Sequence, residues 1–204
     1  MRRLLVLATL IAFASGHAAA QEPEHAIFAG GCFWCVEADF DKVDGVLETV
    51  SGYTGGDVAD PTYRQVVAGG TGHREAVRIA FDPDVVSYEA LLDAFWHSVD
   101  PTDDGGQFCD RGFSYTTAIY ALDGAQRAAA EASKAAVRQD LAVDATIETP
   151  ILDAAAFYRA EEYHQDYYTK NPARYKFYRW SCGRNERVRE VWGETAFEAI
   201  PGLD

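Results

Sequence analysis

Apolar positions along the chain change their period several times, and each change marks an element. Ala26-Ile27-Phe28-Ala29 is a continuous apolar run ended by Gly30-Gly31, which predicts a short buried strand. From Cys32 to Val43 the residues Phe33, Val36, Phe40 and Val43 fall three or four apart, the spacing of an amphipathic helix. Val46 to Tyr53 predicts a strand closed by Gly55-Gly56, and Ala76 to Phe81 alternates at period two before Asp82-Pro83. Ser87 is placed to cap a helix carrying Leu91, Leu92, Phe95 and Trp96. Ser114 to Leu122 is strand-like, Asp123 and Gln126 open an alanine-rich helix to about Asp140, and Ala145 to Ile151 gives a last β segment. The order predicts an α/β (α+β) sandwich: a mixed β-sheet with a split-βαβ, ferredoxin-like core, then an irregular C-terminal tail from about residue 176. The end from Gly193 to Asp204 is expected to be mobile.

The first twenty residues stand apart from this pattern. Met1-Arg2-Arg3 is a positive start, Leu4 to Ala14 an apolar run, and Ser15 to Ala20 a small-residue stretch. Together they predict a cleavable signal peptide over residues 1–20 and a periplasmic or secreted protein. The run is too short for the ~30 Å hydrocarbon core of a bilayer, so no stable membrane association is expected. Residues 21–204 then form a single domain, long enough for its own core. The net charge of −14, which becomes −16 without the two N-terminal arginines, excludes nucleic acid as a natural partner.

Four cysteines, Cys32, Cys35, Cys109 and Cys182, supply the candidate chemistry. Gly30-Gly31 before Cys32 sets it at a strand-to-helix junction, where unpaired N–H groups and the positive helix end favour a thiolate. Cys35 follows one turn later on the same face, within reach of a disulfide with Cys32. A buried structural bridge is the plainer reading, but an exposed junction is a costly place for an inert cysteine. No second closely spaced Cys/His pair accompanies them, so no metal site is expected; His73 and His164 read as structural. Taken singly, Tyr63 and Tyr115 read as core-edge residues, Glu75 beside Arg74 as a solvated strand charge, and Asp110-Arg111 as a surface ion pair.

The order of short segments changes that weighting. Gly31-Cys32-Phe33-Trp34, Gly52 to Gly56, Pro61 to Val66, Thr71 to Val77, Asp110-Arg111-Gly112, Tyr115 and Tyr163-His164-Gln165 follow one another in a set spacing. This pattern resembles the A-type peptide-methionine sulfoxide reductases over roughly residues 26 to 175. The resemblance implies that Cys32 is the nucleophile attacking the sulfoxide sulfur and Glu75 the general acid that protonates its oxygen. It further implies that Tyr63 and Tyr115 grip that oxygen, that Asp110 holds their hydrogen-bond network, and that Phe33 and Trp34 wall the pocket for the S-methyl group. The implied substrate is the S epimer of methionine sulfoxide, in oxidised proteins or free. The implied recycling partner is a thioredoxin-like reductant, and no cofactor is implied.

The chain departs from the commoner family pattern at the resolving cysteine. Cys35 is favoured for its fixed proximity to Cys32, with Cys182 in the tail as the alternative. Cys109, directly before Asp110, is expected to point away from the site and to serve in a structural bridge with Cys182 or as a free thiol. A second class, an exported thiol–disulfide oxidoreductase, accounts for the C-x-x-C but leaves Tyr63, Glu75 and Tyr115 unexplained. A third, a disulfide-stapled binding module, requires that no thiol be reactive.

Overall fold

The structure, a computed structural model, describes residues 22–203. In chain order the elements are β1 (Glu24–Ala29), α1 (Phe33–Phe40), β2 (Val46–Thr54), α2 (Tyr63–Ala68), β3 (Arg74–Phe81) and α3 (Tyr88–Trp96). There follow β4 (Gly106–Gln107), β5 (Asp110–Arg111), β6 (Ala118–Ala121), α4 (Gly124–Val137), β7 (Ile151–Asp153) and β8 (Phe157–Arg159). Three helices close the chain: α5 (Tyr167–Lys170), α6 (Pro172–Ser181) and α7 (Arg184–Trp192).

Six strands form one mixed sheet in the order β7-β6-β1-β3-β2-β8, while β4 and β5 pair as a separate short ribbon. Neighbours in the sheet are antiparallel except β6 and β7. It follows that β1 and β2 run the same way with β3 between them, and α1 connects the two. The period-two alternation of β3 sends Val77, Ile79 and Phe81 into the main core and Ala76 to the opposite face. On the core side Phe33, Val36 and Phe40 of α1 and Leu91, Leu92, Phe95 and Trp96 of α3 pack against the sheet. Each such side chain contributes about 1.5–3 kcal/mol by leaving water. The predicted caps form: Ser87 Oγ accepts from the Ala90 N–H, and Asp123 Oδ1 from the Gln126 N–H.

The coarse expectation of a mixed α/β protein holds, with several local corrections. Residues 145–150 make no strand, because the Glu148 and Thr149 N–H groups donate to the Pro101 carbonyl instead of to a ladder. Tyr115 lies in a 3-10 turn over Phe113–Tyr115, stabilised by Thr116 Oγ1 donating to the Phe113 carbonyl, and the strand begins only at Ala118. The largest correction is the C-terminal tail, which is helical and docked. Val188, Val191 and Trp192 of α7, then Phe197 and Ile200, are buried in the main core. Arg179 of α6 meets buried Asp39 of α1 through two hydrogen bonds of 2.7 and 3.1 Å. Arg184 donates to the Gly30 and Ser98 carbonyls. These partners lie far away in sequence, so the charged residues of the tail are consumed where no local pattern shows it.

Candidate active site

Cys32 is the N-cap residue of α1, as expected, and its carbonyl accepts from the Cys35 N–H at 3.0 Å. Gly31 makes the turn at φ +82°, where a Cβ would come within 2.5 Å of Gln107 Cβ. That glycine makes room for the β4 segment rather than for a ligand. The junction is not exposed: Cys32 is 6% and Cys35 2% accessible.

Glu75 sits on β3 and is buried, with Oε2 accepting the Phe33 backbone N–H at 3.0 Å. Its neighbour Arg74 turns the other way, donating to Thr116 Oγ1 and Tyr120 Oη, so the two make no surface pair. Burial pushes the Glu75 carboxyl well above the ordinary carboxylate range, with the Asp110 charge adding to the push. Tyr63 opens α2 behind a Thr62–Gln65 capping box, and its N–H donates to Glu161 Oε1 at 2.9 Å. Glu161 Oε2 accepts from Tyr53 Oη. The Tyr63 and Tyr115 hydroxyls lie close enough to couple, and burial pushes both up, so both remain protonated donors at neutral pH.

Asp110 pairs not with Arg111, which goes to Asp103, but with Tyr178 Oη, from which it accepts a hydrogen bond. Burial raises the Asp110 carboxyl, against the effect of that bond and of Arg184. Tyr178 carried no signal in the sequence reading. Only the docking of α6 brings it to the site.

Seven expected residues, Cys32, Phe33, Trp34, Tyr63, Glu75, Asp110 and Tyr115, line one cavity together with Tyr178. Its volume of about 80 Å³ is two to three times the ~30 Å³ share of a water molecule, so only a small head group enters. A larger groove of about 610 Å³ between α6, α7 and the C-terminal end holds none of these groups. Trp34 stacks on Tyr167 at 3.7 Å and meets the edge of Tyr178. Its indole N–H donates to His164 Nδ1 at 3.0 Å.

Cys35 lies behind the cavity among Ala38, Tyr167 and Tyr175. Cys182 is disulfide-bonded to Cys109, which matches the expected bridge and leaves Cys182 without a free thiol to act as the alternative resolver. Cys32 and Cys35 are free. Their surroundings differ. Burial, the hydrogen bond with Cys35 and the charges of Glu75 and Asp110 push the Cys32 thiol up. The hydrogen bond from Cys32, helped by the Arg184 and Arg179 guanidiniums, holds Cys35 down at about 7. A helix N-terminus contributes at most about 2 kcal/mol in Cys32's favour, and it acts against all of these.

A family model described as "Peptide methionine sulfoxide reductase" matches residues 24–196. The chain is 52% identical over 200 residues to "Peptide methionine sulfoxide reductase MsrA 2" of Rhizobium meliloti, covering 98% of this chain and 99% of that one. It is 51% identical over 173 residues to "Peptide methionine sulfoxide reductase MsrA" of Bacillus subtilis, 85% of this chain and 98% of the relative. Among solved structures, reduced Mxr1 from Saccharomyces cerevisiae superposes with a TM-score of 0.70 at 29% identity, over 74% of this chain and 87% of that one. Mxr1 has also been solved in complex with Trx2; that likeness, at 20% identity and a TM-score of 0.52 over 76% and 91% of the two chains, shows the shared fold. The periplasmic or secreted location expected from residues 1–20 does not stand: MsrA of Bacillus subtilis is matched over 98% of its own length by 85% of this chain, residues 1–20 lie outside the described residues, and no signal peptide is shown. A positive start and an apolar run are a compositional pattern that no packing constrains.

Proposed function

Because this chain belongs to the peptide methionine sulfoxide reductase family, we propose that it reduces the S epimer of methionine sulfoxide, free or in oxidised proteins, with Cys32 as nucleophile. The observation that carries this reading is the convergence of one thiol, one protonated carboxyl and two tyrosine hydroxyls on a cavity of about 80 Å³ with aromatic walls. Phe33 and Trp34 hold the S-methyl group, and Tyr63 and Tyr115 donate to the sulfoxide oxygen. Glu75, kept protonated by burial, hands it a proton as the S–O bond weakens. Asp110 and Tyr178 hold the far side of that hydrogen-bond network.

Cys32 sulfur attacks the sulfoxide sulfur and the oxygen passes to it. Methionine leaves reduced by two electrons, and Cys32 remains as a sulfenic acid. Cys35 sulfur then displaces the hydroxyl as water, closing a Cys32–Cys35 disulfide that a thioredoxin-like dithiol reopens. Residues 21–204 act as one reductase domain, and the core order β6-β1-β3-β2 reads as a split-βαβ, ferredoxin-like arrangement. The presence of Tyr63, Glu75 and Tyr115 around the same cavity favours this chemistry over general disulfide exchange, which has no use for them.

The test is reduction of methyl p-tolyl sulfoxide with dithiothreitol by wild type and Cys32→Ser, with the enantiomers resolved by chiral chromatography. Consumption of the S form alone, abolished in the variant, supports the reading. Consumption of neither form, or full activity in the variant, removes it.

A further inference from the structure

The groove between α6, α7 and the C-terminal end takes no part in the reaction proposed above. Its volume of about 610 Å³ falls within the ~300–1,000 Å³ typical of small-molecule sites. Lys42, Lys176, Arg179 and Arg189 line it, with Asn185 and a single carboxylate, Glu186. Trp180 borders it and is 77% exposed.

The four cations are not alike. Arg179 is already engaged by Asp39 through two hydrogen bonds. Arg189 donates to the Leu203 carbonyl at 3.1 Å. Lys42, Lys176, Arg189 and Glu186 enter no ion pair among the described residues. The groove is therefore positive on a chain whose net charge is −14. Like charges around one hollow repel each other, and Lys42 carries a second penalty. Burial pulls its ammonium below the ordinary value, and Arg179 adds to the pull. A bound anion offsets both costs. The net negative surface elsewhere repels such an anion, which makes the groove the place where it collects.

Trp180 narrows the chemistry further. Its exposed indole offers a flat apolar surface beside the cations, and Phe177, 65% exposed with its ring 6.0 Å away, extends it. A hydrated inorganic anion has no use for that surface, whereas an aromatic ring stacks on it.

We propose that this groove binds a small aromatic anion, an aryl phosphate or an aryl carboxylate, with its charged head among Lys42, Lys176 and Arg189 and its ring against Trp180. The proposal does not depend on the reductase reading, since the groove shares no residue with the cavity around Cys32.

The test titrates the full chain with phenyl phosphate, benzoate, inorganic phosphate and benzyl alcohol. Calorimetry reads the affinity, and NMR follows the Trp180 indole N–H and the Lys42 ε-carbon. At least one aryl anion should bind at one site per chain and shift both resonances, and the comparison of phenyl phosphate with benzoate tells which head the groove takes. Inorganic phosphate should bind about tenfold more weakly for want of the ring, and benzyl alcohol should not bind. The Lys42 titration should move upward in the complex, the sign expected when an anion pairs with an ammonium. Lys176→Gln and Trp180→Ala change exposed side chains, so both should keep the wild-type thermal midpoint. Each should weaken the aryl anion about tenfold, the worth of one charged hydrogen bond or one stacked ring. Raised salt should weaken binding as well. No binding of either aryl anion at about 1 mM, equal affinity for inorganic phosphate or benzyl alcohol, or wild-type affinity in either variant overturns the proposal. A dimer that Lys176→Gln dissociates in ultracentrifugation gives the groove to a second copy of the chain and overturns it too.

Discussion

Glu37 offers the sharpest physical test of how the site is supported. It lies on α1 with no exposed surface, and its Oε1 accepts the Asp166 N–H at 3.1 Å. That bond anchors the turn that carries His164 and Tyr167. The other oxygen, Oε2, has no partner among the described residues, nor does nearby Ser51 Oγ. Burial pushes the carboxyl from an ordinary 4.5 to about 7, against the lowering effect of the Asp166 bond. Between those two values the folded protein binds a proton that the unfolded chain has released. The group's contribution is therefore fully present below pH 4.5 and is lost as pH rises to about 7. At 1.36 kcal/mol per pH unit the loss comes to about 3 kcal/mol, an upper figure because the surroundings relax around the charge. Glu37→Gln keeps the acceptor and the shape but has no charge to bury, and its amide can donate to Ser51 Oγ. The variant should match wild type at low pH and exceed it above neutrality by up to about 3 kcal/mol, some 6–12 °C in Tm at about 2–4 °C per kcal/mol. Urea unfolding of both proteins below, within and above the window reads the difference directly. A difference that stays constant with pH, or a wild type that is the more stable at high pH, refutes the reasoning.

Other consequences are direct. Glu75→Gln should lower kcat by about 10²–10⁴-fold, the usual worth of a general acid. It should also abolish the fall in rate that wild type shows as pH rises through the raised Glu75 pKa, read from steady-state kinetics on the methyl sulfoxide. Cys35→Ser, with thioredoxin as the sole reductant, should release one equivalent of methionine per enzyme and stop, leaving a sulfenic acid at Cys32 that dimedone captures for mass analysis. Sustained turnover by that variant would give the resolving role to another thiol. Cys109→Ala with Cys182→Ala should cost about 2–4 kcal/mol in denaturant unfolding, for a bridge that spans 73 positions, and should leave turnover with dithiothreitol intact.

What the sequence disclosed was what local chemistry encodes. The apolar run of Ala26–Ala29, the period-two stretch to Phe81 and the caps at Ser87 and Asp123 appear where their patterns put them. Seven site residues fall around one cavity because each belongs to a short motif whose spacing survives folding. Tyr178, His164 and the Asp39–Arg179 pair were not legible for the opposite reason. Their partners lie between 68 and 140 positions away, and only the docking of α6 and of the segment before α5 creates the contacts. The supposedly irregular tail failed on the same ground: its amphipathic signal is diluted by arginines that are themselves buried. Neither Arg179 nor Arg184 reads as a core residue, yet both are less than a tenth exposed.

The same two arginines explain an apparent mismatch in the redox pair. The hydrogen bond from Cys32 and the Arg184 and Arg179 guanidiniums lower the Cys35 thiol, while burial and the Glu75 and Asp110 charges push the Cys32 thiol up, so of the two sulfurs Cys35 is the easier to ionise. On the proposed mechanism, attack by Cys32 requires its proton to pass along that hydrogen bond, leaving a thiolate on Cys32 and a thiol on Cys35. Once the oxygen has moved to Cys32, the demand reverses. The thiolate is then needed on Cys35, where the guanidiniums favour it, and Cys32, now a sulfenic acid, no longer competes for the charge. The site is thus biased towards the second step and sets a proton transfer before the first. A buried nucleophile that ionises only when its neighbour accepts the proton is shielded from idle oxidation, since it is the thiolate and not the thiol that oxidants attack. On the proposed mechanism the docked tail therefore contributes to the chemistry, because Arg179 of α6 and Arg184 of α7 favour the thiolate on Cys35.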